Sequence, residues 1–249
     1  MIQRYYSEQY KQFACFLIIN RNAEEKIYIQ KKQTMIIEIW SDIMCPFCYI
    51  GKRNFESALS RFEHAGDINT SWKSFQLDPS IPDHFGEKVN VYQYLADRKG
   101  MSYEHSERLH ESIVHAAKEA GLVYKFDKAI VANSFNAHRV IQMAKEKGQD
   151  EKMEERFFHA YFTEGKDLGE TGVLVSLGIE VGLTETEVLE ALNNDSYASK
   201  VRQDIYEAQS IGIRAVPSFI FNRRYAVTGA QPPETFLQTL KRSFAEFSS

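Results

Sequence analysis

The residues of this chain whose type and spacing are most typical of chemistry are two cysteines, Cys45 and Cys48, in the segment IEIWSDIMCPFCYIG. Cysteines three positions apart can ligate a metal ion, form a structural disulfide, or exchange electrons by opening and closing a disulfide. Cys15 is the only further cysteine. Three cysteines are too few for a disulfide-built scaffold, so the count fits a reducing compartment or a dedicated redox pair.

The first two roles are poorly supported. A structural zinc site needs about four nitrogen or sulfur ligands, and the pair supplies two. His105, His110 and His115 are spaced by five residues, which sets neighbours about 140° apart on a helix, and they are predicted to belong to a solvated, charged helix. A disulfide across so short a loop would stabilise little, because the gain grows with loop length. Two packed, inert thiols remain the simplest alternative.

The predicted elements around the pair favour the redox role. Residues 35–42 alternate and are β-branched like a buried strand, and residues 47–62 have apolar residues at helical spacing. Pro46 suits the first helical position. Cys45 therefore falls at a helix N-terminus, where free N–H groups and the helix dipole favour a thiolate. Cys48 lies one turn further on the same face, within reach of a mixed disulfide formed at Cys45.

The rest of the sequence predicts an α/β fold that is split by helices. A second strand over residues 69–78 completes a strand–helix–strand unit, and residues 89–207 have long helical periodicity. Strand-like segments return at residues 214–222 and 225–229, and a final helix runs from Pro233 to Phe247. The predicted domains are a split α/β domain over residues 35–82 and 196–249 and a helical insertion over residues 83–195. Residues 1–34 are predicted to be an appended segment that the functional protein does not require.

Several further motifs carry a resemblance to a known family. They are Val216-Pro217 within AVPSFIFN, NSFNAHR at 133–139, AYFTEGKDLGE at 160–170 and VTGAQP at 227–232. From Met35 to its end the sequence resembles the DsbA-like branch of the thioredoxin superfamily. Within that branch it is similar to the cytoplasmic FrnE-like oxidoreductases, which are relatives of 2-hydroxychromene-2-carboxylate isomerase. The resemblance implies a thioredoxin-like fold with a large all-helical domain inserted.

The resemblance also implies roles for four residues. Cys45 corresponds to the attacking thiol and Cys48 to the resolving thiol, while Pro217 corresponds to the cis-proline that faces them. Val216, which precedes it, corresponds to the residue that contacts the substrate backbone. Taken without the resemblance, Pro217 is an ordinary strand-start proline. Four residues of NSFNAHR are expected to cap and pack a helix rather than to shape a cleft between the two domains: Asn133, Asn136, His138 and Arg139.

These features predict an enzyme, a protein-disulfide oxidoreductase or isomerase that acts on protein or small-molecule thiols and disulfides. No obligatory cofactor is expected beyond the redox-active Cys45–Cys48 disulfide, with glutathione as a candidate co-substrate. Two alternatives stay open: a glutathione-dependent isomerase or transferase on a small aromatic substrate, and a non-enzymatic peptide-binding module. The isomerase relatives typically carry serine at the position of Cys45, and this chain keeps both thiols.

The net charge and the apolar runs of the sequence restrict the classes of partner that are expected. The net charge of −4 offers no basic field for nucleic acid. The apolar run Phe13–Ile19 is shorter than the roughly 20 residues that a membrane helix needs, and it makes a poor secretory signal. With few cysteines and no evident signal, the expected location is the cytoplasm. The sequence leaves the oligomeric state open.

Overall fold

The computed structural model describes residues 34–83 and 88–248. The predicted appended segment therefore lies outside the described residues except for Thr34, and so does Cys15. The strands are β1 (Met35–Ser41), β2 (Ile68–Ser74), β3 (Ser218–Phe221) and β4 (Tyr225–Thr228). The helices are α1 (Pro46–Ser60), α2 (Val91–Lys99), α3 (Tyr103–Glu119), α4 (Phe135–Glu146), α5 (Asp150–His159), α6 (Thr171–Glu180), α7 (Glu185–Asn193), α8 (Asp195–Ser210) and α9 (Pro233–Phe247).

The strands form one mixed sheet in the order β2-β1-β3-β4. β1 and β2 are parallel, with Met35 opposite Ile68, as the predicted strand–helix–strand unit requires. β3 runs antiparallel to both β1 and β4. The element order along the chain is the predicted one: β-α-β, a run of helices, then α-β-β-α. In the parts of the chain that the structure describes, no helix is both long and apolar enough to cross a membrane.

Two strands are shorter than predicted. β2 ends at Ser74 rather than at Asp78, because the backbone then turns away: the Leu77 N–H donates to the Asp42 carboxylate (2.7 Å) instead of to a strand. β3 begins at Ser218 rather than at Arg214. Pro217, immediately before it, has no N–H to donate to a ladder.

The sheet is covered on both faces. Against one face, α1 and α9 bury aromatic side chains, with Phe55, Phe219 and Phe236 packed ring against ring. Against the other face, Asp204 of α8 joins three elements: its carboxylate accepts from Ser74 N–H (3.0 Å) and from the Gln142 amide of α4 (2.7 Å). Trp40 of β1 donates to the Asp204 carbonyl (3.0 Å). Helix α8, which belongs to the predicted α/β domain, therefore packs on the strand that leads to Cys45, and α4 of the predicted insertion is bonded to β2 and to α8.

Candidate active site at the start of helix α1

Cys45 is the N-cap residue of α1, as its position before Pro46 predicts. Its backbone is extended (φ −90°, ψ 112°), and its N–H donates to the Asp42 carbonyl (2.9 Å). The side chain makes no capping hydrogen bond to the described helix; instead the thiol donates to the Val216 carbonyl, with 3.7 Å between sulfur and oxygen. The side chain is buried, with 4% of its surface exposed. The sulfur therefore lies between the helix start and the segment before β3.

Cys48 lies beneath Cys45, one turn into α1, and both are free thiols. The Cys48 N–H donates to the Cys45 carbonyl (3.0 Å). Burial raises the pKa of the Cys48 thiol well above its ordinary value, and the adjacent Cys45 side chain raises it further. The Asp42 backbone and the Ser41 hydroxyl oppose this shift in the pKa only in part. Cys48 is therefore kept as the neutral thiol until something removes its proton.

Val216 and Pro217 lie beside the pair, in the place that the resemblance implied. The peptide bond between them is cis, and both residues are buried. Gly51 of α1 makes room for them, because a Cβ built on this glycine would lie 2.9 Å from the Pro217 ring carbon Cγ. Gly51 was not singled out from the sequence. Its signal is a glycine inside a helix, where glycine is disfavoured unless another group approaches closely.

Asp42 fixes the turn between β1 and Cys45. One carboxylate oxygen accepts from Met44 N–H (3.2 Å), and the other accepts from Leu77 N–H (2.7 Å), so the carboxylate ties this turn to the segment after β2. His138 of α4 reaches the same carboxylate, with 3.6 Å between Nε2 and Oδ1, and both side chains are buried. Sequence analysis missed Asp42, although an aspartate directly before a turn is a common signal for such a bond.

A buried acid, Glu154 of α5, approaches the site from the helical side. It is 2% exposed, and its Oε2 atom has no hydrogen-bond partner among the described residues. Burial raises the pKa of this carboxyl to about 8, while the Ser41 hydroxyl and the Lys52 charge pull it down in part. Ser41 therefore influences both Glu154 and Cys48. Nothing in the polar sequence DEKMEERFFH marks this one glutamate as buried.

A charged network joins α1 to α5 close to the cysteines. The Glu155 carboxylate accepts from Tyr49 (2.5 Å) and from Arg53, and it lies 3.0 Å from the Lys52 ammonium. Burial opposes the charged form of Glu155, but the hydrogen bonds and the positive charges outweigh it and lower its pKa to about 2. The Lys52 side chain is 4% exposed and also pairs with Glu56. The network holds the cysteine-bearing helix against the helical insertion.

A cavity of about 540 Å³ opens beside Cys45, between the start of α1 and helices α2 and α3. Its lining is mostly apolar and includes Ile113, Phe126, Val131 and Phe162. Polar side chains also line it: Asp42, Tyr94, His110, Ser134 and Tyr161. Other lining residues at its mouth are charged or exposed: Phe47, Leu77, Asp78, Arg98, Lys99 and Leu109. The volume lies within the roughly 300–1,000 Å³ typical of small-molecule sites. Sequence analysis predicted a cleft but neither its apolar character nor these residues.

Asn133 and Arg139 of NSFNAHR pack and cap, as expected, whereas Ser134 of the same motif lines the cavity. Asn133 accepts from the Phe135 N–H at the start of α4 (2.9 Å) and donates to the Ile81 carbonyl (2.7 Å). Arg139 donates to the Ala191 carbonyl (2.9 Å). The expectation of a uniformly solvated histidine helix was wrong for His110, which is buried on α3, donates from Nδ1 to the Ser106 carbonyl (2.8 Å) and packs its ring on Phe126.

Comparisons with known proteins found a matching family and several similar structures. The family model described as a DSBA-like thioredoxin domain matches residues 36–241. A probable DsbA oxidoreductase from Streptomyces coelicolor is 35% identical and has a TM-score of 0.80, with 85% of this chain and 91% of that chain covered. YwbO of Bacillus subtilis, an uncharacterised protein, is 29% identical over 82% of this chain and 94% of its own length.

More distant solved structures share the fold. The cytosolic disulfide reductase DsbM from Pseudomonas aeruginosa is 16% identical, with a TM-score of 0.60 and coverage of 84% of this chain and 98% of that one. A 2-hydroxychromene-2-carboxylate isomerase is 14% identical, with a TM-score of 0.62 and coverage of 86% and 100%. The predicted thioredoxin-like fold and the DsbA-like resemblance are confirmed. The FrnE-like assignment and the domain boundaries stay predictions.

Proposed function

Because the chain belongs to the DSBA-like thioredoxin domain family, we propose that it is an enzyme that exchanges disulfides with thiol-containing substrates through Cys45 and Cys48. The observation that carries the proposal is the position of the Cys45 thiol, which caps α1 3.7 Å from the Val216 carbonyl with Cys48 directly beneath it. The 35% identical protein from Streptomyces coelicolor, named a probable DsbA oxidoreductase, supports the general class of reaction.

The two thiols have different roles in the proposed reaction. The Cys45 thiolate attacks one sulfur of a substrate disulfide, forms a mixed disulfide and releases the other substrate sulfur as a thiolate. Cys48 then loses its proton and attacks the Cys45 sulfur, which releases the second substrate thiol and leaves a Cys45–Cys48 disulfide. The raised pKa of Cys48 suits this order, because a neutral thiol does not compete for the substrate. In reverse, the same steps oxidise a dithiol substrate.

Val216 and Pro217 are the proposed substrate-contacting residues. The Val216 carbonyl already accepts a hydrogen bond from the Cys45 thiol, so an extended substrate that presents its sulfur to Cys45 passes next to this segment. The backbone N–H groups of that substrate are then the natural donors to the carbonyls of this segment.

Single cysteine variants test the proposal. Cys45→Ser should abolish insulin disulfide reduction, because the nucleophile is lost. Cys48→Ser should instead accumulate mixed disulfides that a reductant releases. Cys15→Ser is the matched control, since it removes a thiol and keeps the pair. Full activity in Cys45→Ser, or equal loss in Cys15→Ser, would rule out this mechanism.

A glutathione-dependent isomerase or transferase is the second candidate, and the cavity beside Cys45 is what favours it. It predicts tight glutathione binding and turnover that survives Cys48→Ser. A non-enzymatic peptide-binding module predicts instead that capture of a peptide is equal in the oxidised and reduced protein. Insulin reduction that depends on both Cys45 and Cys48 would exclude both alternatives.

We also propose glutathione as a co-substrate and a reducing, cytoplasmic location. DsbM, which shares the fold, is named as a cytosolic disulfide reductase and has also been solved with glutathione. The equilibrium of the Cys45–Cys48 disulfide against glutathione tests the first point, and it also decides whether reduction or oxidation of substrates is favoured. Fractionation of the native host tests the second.

A further inference from the structure

The cavity beside Cys45 has the features of a binding site rather than of a packing defect. Cys45 lines it, yet the cysteine itself is only 4% exposed, so a reacting molecule must enter the cavity or cross its mouth to reach the sulfur. The volume of about 540 Å³ is several times that of a void left by a missing side chain and suits a small molecule.

The mostly apolar lining of the cavity favours a ligand with an apolar group. Ile113, Val131 and Phe126 line the cavity and offer no charge to a ligand. The polar lining residues Asp42 and His110 are already hydrogen-bonded, to Leu77 N–H and to the Ser106 carbonyl. At the mouth, Phe47 and Leu77 are 44% and 46% exposed. Exposed apolar side chains that cluster around an opening mark a surface that a partner covers. A ring-sized apolar group would bury both the interior and this mouth.

The charged side chains at the mouth of the cavity favour an anionic substituent on that ligand. Arg98 and Lys99 end α2 at the cavity mouth. The Arg98 guanidinium is neutralised by Asp78, at 2.6 Å. Lys99 is exposed and forms no ion pair with any residue that the structure describes. The remaining charged lining residue, Asp42, is buried and its carboxylate accepts from Leu77 N–H, so Lys99 is the exposed charge that a ligand meets at the mouth.

We infer that this cavity binds small disulfides in which the sulfur carries an apolar, ring-sized group with an anionic substituent. This inference rests on the proposed function and specifies its substrate class. The ring enters between Ile113 and Val131, the anion faces Lys99, and the disulfide lies at Cys45. The Cys45 thiolate attacks the nearer sulfur and releases one aryl thiolate; Cys48 then displaces the second aryl thiol. Two electrons pass from the dithiol to the disulfide, so a single turnover needs no other reductant.

Single-turnover reduction by the pre-reduced protein tests the inference. The probe is 5,5′-dithiobis(2-nitrobenzoate), an aromatic disulfide with carboxylates, and 2-hydroxyethyl disulfide is the polar, uncharged reference. Ile113→Trp fills the cavity and should lower the ratio of the aromatic rate to the reference rate about tenfold. The reason is that the free energy which the ligand's ring gains by burial in the cavity corresponds to a rate change of about that size. Ile179→Trp makes the same exchange at a 52% exposed position of α6 and should leave that ratio unchanged.

The charge is tested separately. Lys99→Gln should slow the carboxylated probe about two- to fivefold relative to 4,4′-dithiodipyridine, which has the ring but no carboxylate, in line with an exposed ion pair. Added salt should reduce that difference. Lys118→Gln, an exposed lysine of α3 that does not line the cavity, is the control and should have no selective effect.

The outcomes separate the two proposals. If the parent protein reduces neither disulfide, the proposed function fails. If it reduces both and Ile113→Trp leaves their ratio unchanged, the function stands and the inference about the cavity is overturned. A readout without turnover is protection: 2-nitrobenzoate should slow alkylation of Cys45 by iodoacetamide in the parent protein and not in Ile113→Trp. Equal protection in both would also overturn the inference.

Discussion

At the scale of single residues, Glu154 makes the stability of the protein depend on pH. Burial raises the pKa of this carboxyl from 4.5 to about 8 in the folded chain. Between these values the folded protein holds a proton that the unfolded chain has lost, so the free energy of unfolding must fall as the pH rises. The slope from one such group is about 1.4 kcal/mol per pH unit.

Glu154→Gln should therefore remove most of this slope. The amide keeps the size of the side chain and cannot ionise, so the variant should gain stability relative to the parent as the pH rises from about 5 to about 8.5. Urea unfolding at the two pH values measures the difference. Glu190→Gln, at an exposed position of α7, is the control and should leave the slope as it is. A parent-like slope in Glu154→Gln would refute this account.

Gly51 is the second residue whose role depends on contact rather than on charge. An alanine Cβ at this position would lie 2.9 Å from the Pro217 ring, and a ring has little freedom to retreat. Gly51→Ala should displace Pro217 from Cys45, lower the insulin-reduction rate and cost about 1–3 kcal/mol of stability. The ordinary gain of about 1 kcal/mol from alanine in a helix offsets this only in part.

Gly172→Ala is the matched control for that substitution. Gly172 lies in α6, and a Cβ there would meet nothing within 4 Å. This variant should be neutral or slightly more stable than the parent and fully active. If Gly51→Ala behaves in the same way, the close approach to Pro217 has no functional weight.

At the scale of elements, the interface between α1 and α5 depends on Glu155. Its removal leaves the buried Lys52 ammonium with Glu56 as its remaining close partner, and Arg53 loses its partner across the interface. Glu155→Gln should cost about 2–4 kcal/mol, since a buried charge without its partner is strongly destabilising. Thermal or urea unfolding measures the loss.

The same variant has a pH signature of opposite sign to that of Glu154. The pKa of Glu155 is lowered to about 2 in the folded protein, so its contribution is present above 4.5 and is lost as the pH falls towards 2. Glu155→Gln should flatten that acid-induced loss. The control is Glu234→Gln, which breaks an exposed pair between α9 and Arg61, the residue that follows α1, and should cost less than about 1 kcal/mol. Similar costs for the two variants would contradict the argument.

The order and the starts of the helices and strands were predicted more accurately than any other feature of the molecule. Pro46 and the apolar spacing after it predict where α1 begins, and the structure begins this helix at Pro46. Local patterns contain this information. The end of β2 was wrong because it depends on Asp42, a residue more than 30 positions away that draws Leu77 out of the sheet.

The site divides in the same way. The cysteine pair was predicted because its spacing and its helix start are local features. The buried state of Glu154 and of His110 depends on which helices pack on them, and a polar helical sequence does not encode that. The cavity is harder still to predict, because its lining residues come from four separate parts of the chain, within residues 42–47, 77–81, 91–113 and 126–162.

At the scale of the whole molecule, one core crosses the predicted border between the α/β domain and the insertion. Trp40 and Cys48 from the first segment pack in the same cluster as Phe157 and Leu174 from the insertion. A second cluster joins the sheet to α1 and α9. Both clusters include side chains of β1, a central strand of the sheet.

A chain that begins at Met35 should therefore fold and react like the parent. Met35 is fully buried and opens β1, where Ile37 and Ile39 are buried with it, so a chain cut before Met35 keeps the whole of this strand. Its melting temperature should stay within a few degrees of the parent value, and insulin reduction should be unchanged. A chain that begins at Trp40 is the contrast: it loses the buried Met35, Ile37 and Ile39 and most of the central strand, at roughly 2–5 kcal/mol for each such side chain, and should not fold. If the chain beginning at Met35 melts well below the parent or loses activity, residues 1–34 contribute to the functional protein and the predicted division of the chain is wrong.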